Sequence, residues 1–186
     1  MPPRLQLVDG RTAEIRPIGP EDREALLALH AGLSRESRYL RYFSSRRRLP
    51  EREVRHFTEV DQRDHAGVGV WLDGMLVGHA LYDRLADPAE AEVALEVTDA
   101  CQGLGIGTAM LEALAALAQE AGVVRFVAHV MPTNRRMLQV LADLGFEERA
   151  VFEDGAVRVE LLLAPSEGFE AARRRRASPP EPTSGD

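Results

Sequence analysis

Apolar and polar positions along this chain follow two periods, and the switches between them divide it into elements. Alternating or β-rich runs occupy residues 5–8, 12–16, 67–72, 75–82, 92–97, 123–130, 146–153 and 157–163. Asp9-Gly10, Asp73-Gly74 and Asp154-Gly155 each lie between two such runs, which predicts three hairpins with tight turns. Helical spacing appears over 21–33, where Ala25, Leu26, Leu29 and Leu33 share a side, and over 50–60, with Pro50 suited to a first turn. A third helix is expected over 109–121, where Met110, Leu111, Leu114, Leu117, Ala118 and Ala121 recur at helical spacing before Gly122. The run 134–144 reads as a fourth, closed by Gly145-Phe146. Eight strands and four helices thus account for residues 4–164, with no internal repeat.

Composition narrows the class. A chain of 186 residues suits one domain, here 1–164, and the composition shifts only at 165–186, where four arginines at 173–176 precede Ser, Pro, Glu and Thr. That tail is expected to be disordered. The formal net charge of −7 disfavours wholesale nucleic-acid binding, and no apolar run approaches the roughly 18 residues of a membrane span. Pro2, Pro3 and Arg4 lead straight into a hairpin, so no signal peptide is expected. The single cysteine rules out an internal disulfide, which suits the cytoplasm.

The candidate chemistry starts at Gln102-Gly103-Leu104-Gly105-Ile106-Gly107-Thr108, between a strand and a long helix. Glycines there let backbone N–H groups converge without a Cβ in the way, and the helix N-terminus adds partial positive charge. A pyrophosphate is the ligand such a cradle suits. The spacing G-x-G-x-G is not the dinucleotide fingerprint, and a P-loop is excluded because the 23 basic residues include no lysine.

What remains, Q-x-x-G-x-G, resembles the pyrophosphate-binding signature of the GNAT superfamily of N-acetyltransferases. The order strand, glycine loop, helix, strand, Asn134, helix and Gly145-Phe146 resembles that family's core. The resemblance implies an α/β (α+β) fold with a central mixed, mostly antiparallel sheet and about four helices. It implies acetyl-CoA as co-substrate, with Val97 and Thr98 pairing the pantetheine arm and Gln102, Gly103, Gly105, Ile106, Gly107 and Thr108 at the pyrophosphate. Asn134 matches a family asparagine that bonds the cofactor arm, although it is equally an N-cap residue. The helix tyrosine that protonates the departing thiolate in many members is replaced by Leu141 or Val140. A thiol pKa near 8.5 lets the thiolate leave without it.

Attack by an amine with a pKa near 10.4 requires a proton acceptor. Glu92 and Glu96 stand on one strand, an even number of residues apart, so both point to one face unless a bulge intervenes; they are separated by about 13 Å. Leu33-Ser34-Arg35-Glu36-Ser37-Arg38-Tyr39-Leu40-Arg41-Tyr42-Phe43 resembles the L-S-x-x-S-x-Y-x-R-F-F segment of bacterial protein-lysine acetyltransferase GNAT domains, which also carry Ala-Glu ten residues before the loop glutamine. Ala91-Glu92 occupies that place. The resemblance makes Glu92 the preferred general base and Glu96 the reserve.

Cys101 reads as a small buried hydrophobe. His30, His56, His65, His79 and His129 show no metal spacing along the chain, so no metal is expected. Arginines 46–48 read as a solvated loop. The leading function is acetyl transfer from acetyl-CoA to a primary amine, a protein lysine before a small molecule, with no nucleic-acid or membrane partner. A metabolite acetyltransferase and a non-catalytic acetyl-CoA-binding regulatory module are the alternatives.

Overall fold

A computed structural model describes residues 3–164, 167, 168, 170 and 171. The elements are β1 (Arg4–Gln6), β2 (Thr12–Pro17), α1 (Arg23–Gly32), α2 (Arg35–Tyr42), α3 (Glu51–Thr58), β3 (His65–Leu72), β4 (Met75–Arg84), β5 (Glu90–Val97), α4 (Ile106–Glu120), β6 (Arg125–Val130), α5 (Arg135–Asp143), β7 (Glu147–Glu153) and β8 (Ala156–Leu162). The strands form one sheet in the order β1-β2-β3-β4-β5-β6-β8-β7. Every neighbouring pair is antiparallel except β5 and β6, which run parallel with α4 as their crossover. The mixed, mostly antiparallel sheet expected from the sequence is therefore present.

Each face of the sheet carries a core. Leu26 and Leu29 of α1 and Val54 and Phe57 of α3 pack on Leu76 and Leu81. On the opposite face, Met110, Leu111 and Leu114 of α4 meet Val68, Ala80, Tyr82 and Val93. Gly78 permits that contact, because a Cβ there would lie 2.8 Å from Ile106 Cγ2. The helix N-terminus is thereby seated against the middle of the sheet.

Two of the three hairpin turns form as expected. Asp73 and Gly74 have φ of 51° and 78°, and Asp154 and Gly155 have 49° and 81°, the paired positive values of a tight turn that follows the sheet's twist. Asp9 does not adopt positive φ; Leu7 N–H instead bonds Arg11 O at 2.9 Å and Gly10 N–H bonds Leu7 O at 3.0 Å, giving a wider loop.

The structure contains a fifth α-helix, α2. Its sequence carries charge on half of its positions and buries only Arg38, so no apolar stripe marks it. The legible signal is its cap, since Ser34 Oγ accepts from Ser37 N–H at 3.1 Å. Of the tail expected to be disordered, Glu167, Gly168, Glu170 and Ala171 are described and helical; the remainder lies outside the described residues.

Candidate active site

The parallel pair β5–β6 holds only over Glu90↔Arg125, Ala91↔Phe126 and Glu92↔Val127. Beyond Glu92 the strands part, β5 staying with β4 as far as Val97 and β6 with β8 as far as Val130. Backbone groups on the facing edges lose a strand partner there, and a cleft of about 1090 Å³ opens, lined by residues 93–97 and 128–130. The ladder between β4 and β5 contains no bulge, so Glu92 and Glu96 do share a face.

One end of the cleft is built to receive an anion. Gly103 and Gly105 hold φ of +82° and +86°, which turns the chain into α4. No side chain caps that helix. Ala109 N–H makes the first helical bond, to Gly105 O at 3.1 Å, which leaves the amides of Ile106, Gly107 and Thr108 without helical acceptors at a positive dipole end. Arg135 and Arg136, opening α5, line the same end. Arg136 donates to Gln102 Oε1, and Gln102 Nε2 donates to Val97 O at 3.1 Å and Ser37 Oγ at 3.3 Å, so this glutamine fastens the loop to β5 and α2.

The other end lies under α2 and α3, among Tyr42, Phe43, Arg46, Glu53 and Phe57. Asp99 anchors it by accepting from Ser34 N–H, Ser34 Oγ and Ser37 Oγ at 2.9, 2.7 and 2.8 Å. Glu96 is buried at its floor and accepts from the Tyr42 hydroxyl at 2.9 Å. Its Oε1 lies 3.6 Å from His79 Nδ1, just beyond hydrogen-bond reach. Burial pushes the Glu96 carboxyl up, but the His79 ring, the Arg41 guanidinium and the Tyr42 hydroxyl outweigh it and hold the group below the usual glutamate value. Burial and the neighbouring Glu96 charge push the Tyr42 hydroxyl up, so it stays protonated and donates.

Glu92 differs in every respect. It stands where the strands part, its side chain is 47% exposed, and Oε1 is hydrogen-bonded to His129 Nδ1 at 2.9 Å. One carboxylate oxygen is therefore oriented while the other remains open to the cleft.

Of the residues singled out from sequence, Glu92, Glu96, Val97, Gln102, Gly103, Gly105, Ile106, Gly107, Thr108 and Asn134 all line this cleft. Thr98 does not, and its N–H is already bonded to Val77 O at 2.9 Å. Asn134 caps α5, with Oδ1 accepting from Met137 N–H at 3.1 Å, which leaves its Nδ2 for a ligand. Val140 lines the cleft and Leu141 is in the core. Cys101 is buried as expected. Arg46, read as solvated, lines the cleft and pairs with Glu53 at 3.0 Å.

Sequence reasoning missed Tyr42 as the partner of Glu96, His129 as the partner of Glu92, and Arg135 and Arg136. The arginines did leave a signal: two cations in a helix's first turn oppose the macrodipole, which is an arrangement that suits an anionic ligand.

The family model described as "Acetyltransferase (GNAT) family" matches residues 33–146. Acetyltransferase Pat of Mycolicibacterium smegmatis is 36% identical over 146 residues, covering 76% of this chain; the chain spans 43% of that relative's length. The crystal structure of the GNAT domain of S. lividans PAT superposes with a TM-score of 0.81 at 39% identity, covering 86% of this chain and 96% of that one. YncA of Salmonella typhimurium, a putative acetyltransferase solved with its cofactor acetyl-CoA, shares the fold at a TM-score of 0.64 and 17% identity, over 83% of this chain and 98% of that one.

Proposed function

Given that the chain belongs to the GNAT acetyltransferase family, we propose that it transfers the acetyl group of acetyl-CoA directly to a primary amine, with a protein lysine side chain as acceptor. The observation that carries this reading is a single cleft with an uncapped helix N-terminus at one end, a carboxylate at the point where two parallel strands part, and a separate opening under α2 and α3. Donor and acceptor then occupy the cleft together from opposite ends, and simultaneous binding is what direct transfer requires. The likeness to Pat, together with the Leu33–Phe43 segment, supports a protein lysine over a metabolite.

Acetyl-CoA supplies an acetyl group activated as a thioester. In this reading the amides of Ile106, Gly107 and Thr108 hold the pyrophosphate, with Arg136 as the nearby cation and Gln102 fixing the loop. The β5 edge over 93–97, including Val97, offers backbone groups to the pantetheine arm, with Asn134 Nδ2 opposite. Thr98 is left out because its N–H is occupied.

Glu92 takes the ammonium proton, directly or through a water, and releases the amine as a nucleophile. Its open oxygen and the His129 contact suit it to that role. Glu96 is a weaker base because its neighbours favour the carboxylate, and one oxygen is engaged by Tyr42. The reaction uses no metal in this reading. No helix among the described residues is long and apolar enough to cross a membrane, and the cysteine is free, in keeping with a cytoplasmic setting.

Release of CoA thiol from acetyl-CoA tests the proposal, with a dialysed bacterial protein extract and its small-molecule fraction as alternative acceptors. Release with the protein fraction alone is expected. Release with the small molecules alone would make the chain a metabolite acetyltransferase, and none with either would leave a non-catalytic acetyl-CoA-binding module.

A further inference from the structure

Away from the cleft, three side chains that are distant in sequence meet on the face of the sheet under α3. His56 lies in the last turn of α3, His65 begins β3, and Asp83 lies on β4 directly opposite His65 in the ladder. None of the three lines the cleft. Their donor atoms all lie within 4.8 Å of one another.

We propose that His56, His65 and Asp83 form a binding site for one divalent transition-metal ion, Zn²⁺ foremost, that clips α3 to the β3–β4 hairpin. Asp83 Oδ2 is 3.0 Å from His56 Nε2, and Oδ1 is 3.6 Å from His65 Nε2. A tetrahedral zinc with bonds near 2.1 Å places its ligand atoms about 3.4 Å apart, and these two separations, one to each carboxylate oxygen, fall on either side of that value.

A simple His56–Asp83 ion pair accounts for only part of the cluster. It leaves His65 Nε2 buried with no hydrogen-bond partner; the two imidazoles, stacked at 4.2 Å and 15°, splay about their side-chain torsions when both nitrogens turn to one ion. A cation held by both rings and the carboxylate gives that nitrogen a partner.

The scaffold is already fixed. Asp61 Oδ1 accepts from the N–H groups of Arg63, Asp64 and His65 at 2.8, 2.9 and 3.0 Å, which locks the turn that delivers His65. His56 and Asp83 have side chains 46% and 37% exposed, so an ion enters from solvent and a water completes its shell. Two imidazole nitrogens with one carboxylate favour zinc and its neighbours over magnesium or calcium, which prefer all-oxygen shells. Spacing along the chain gave no metal motif; the fold supplies the proximity.

The proposal is independent of acetyl transfer and is tested by binding. Full-length protein stripped with EDTA and dialysed is titrated calorimetrically with ZnCl₂ and, separately, MgCl₂, alongside His56→Ala and Asp83→Asn. One Zn²⁺ per chain is expected, with a raised melting temperature, no response to Mg²⁺, and affinity reduced by about tenfold or more in both variants. Co²⁺ added to the unmutated protein should give the visible absorption of a low-symmetry nitrogen and oxygen site, a readout that does not depend on either variant folding. Absence of stoichiometric Zn²⁺ binding, or equal binding by properly folded variants, would overturn the site.

Discussion

Replacing Glu92 with Gln is expected to lower kcat by about 10²- to 10⁴-fold, the range of a general base, while leaving acetyl-CoA affinity unchanged. The substitution keeps the side chain's size and an oxygen within reach of His129 Nδ1, 2.9 Å away in the native chain, but removes the proton acceptor. Glu92 does not belong to the anion end of the cleft, which is formed by Gly105, Ile106, Gly107, Thr108 and Arg136. Donor binding and proton transfer are thus carried by different residues and separate in a kcat-against-binding comparison. Turnover close to wild type would move the base elsewhere, and parallel loss of acetyl-CoA binding would mean that the residue shapes the donor site.

Glu96→Ala is expected to cost about 1–3 kcal/mol of folding stability, measured by chemical denaturation, because it removes the buried acceptor of the Tyr42 hydroxyl and the carboxylate beside His79. Arg41 lies 4.8 Å over the Tyr42 ring with Nε already lacking a partner, and His79 is 1% exposed. Without the carboxylate, Arg41 loses a nearby negative charge and the Tyr42 hydroxyl loses its acceptor. A cost below about 0.5 kcal/mol would show that water takes over the hydrogen bond to Tyr42.

The same group gives a pH signature. A carboxyl held below its unfolded value contributes stability above the ordinary glutamate pKa of about 4.3, and that contribution is lost as pH falls through the lowered folded value. Wild type should therefore lose stability on acidification more steeply than Glu96→Gln.

The helices that bury apolar stripes were legible because periodicity records burial directly, as with Leu26, Leu29, Leu111 and Leu114, whereas β3, β4 and β7 were legible from β-forming residues bounded by turn signals. Helix α2 was legible only through its Ser34 cap, since it lacks an apolar stripe and is held by Asp99, 62 and 65 residues away, accepting from Ser37 and Ser34. The glycine loop was legible for a physical reason: Gly103 and Gly105 adopt positive φ, and side chains tolerate that poorly. The roles of Glu92 and Glu96 were harder to separate, because strand parity puts both on one face and only the tertiary surroundings distinguish them. Tyr42, His79 and Arg41 gather around one, and His129 meets the other across the point where β6 leaves β5. The cluster of His56, His65 and Asp83 was hidden in the same way, since three elements are needed to assemble it.

The most direct test of the central claim is an amide-resolved NMR titration of the ¹⁵N-labelled protein with acetyl-CoA. The N–H signals of Ile106, Gly107 and Thr108, together with those of the β5 edge over 93–97, should shift at saturating ligand, while those of β1 and β7 stay in place. Binding that leaves the α4 N-terminus unmoved, or no binding at all, would contradict the assignment of this cleft as the acetyl-CoA site.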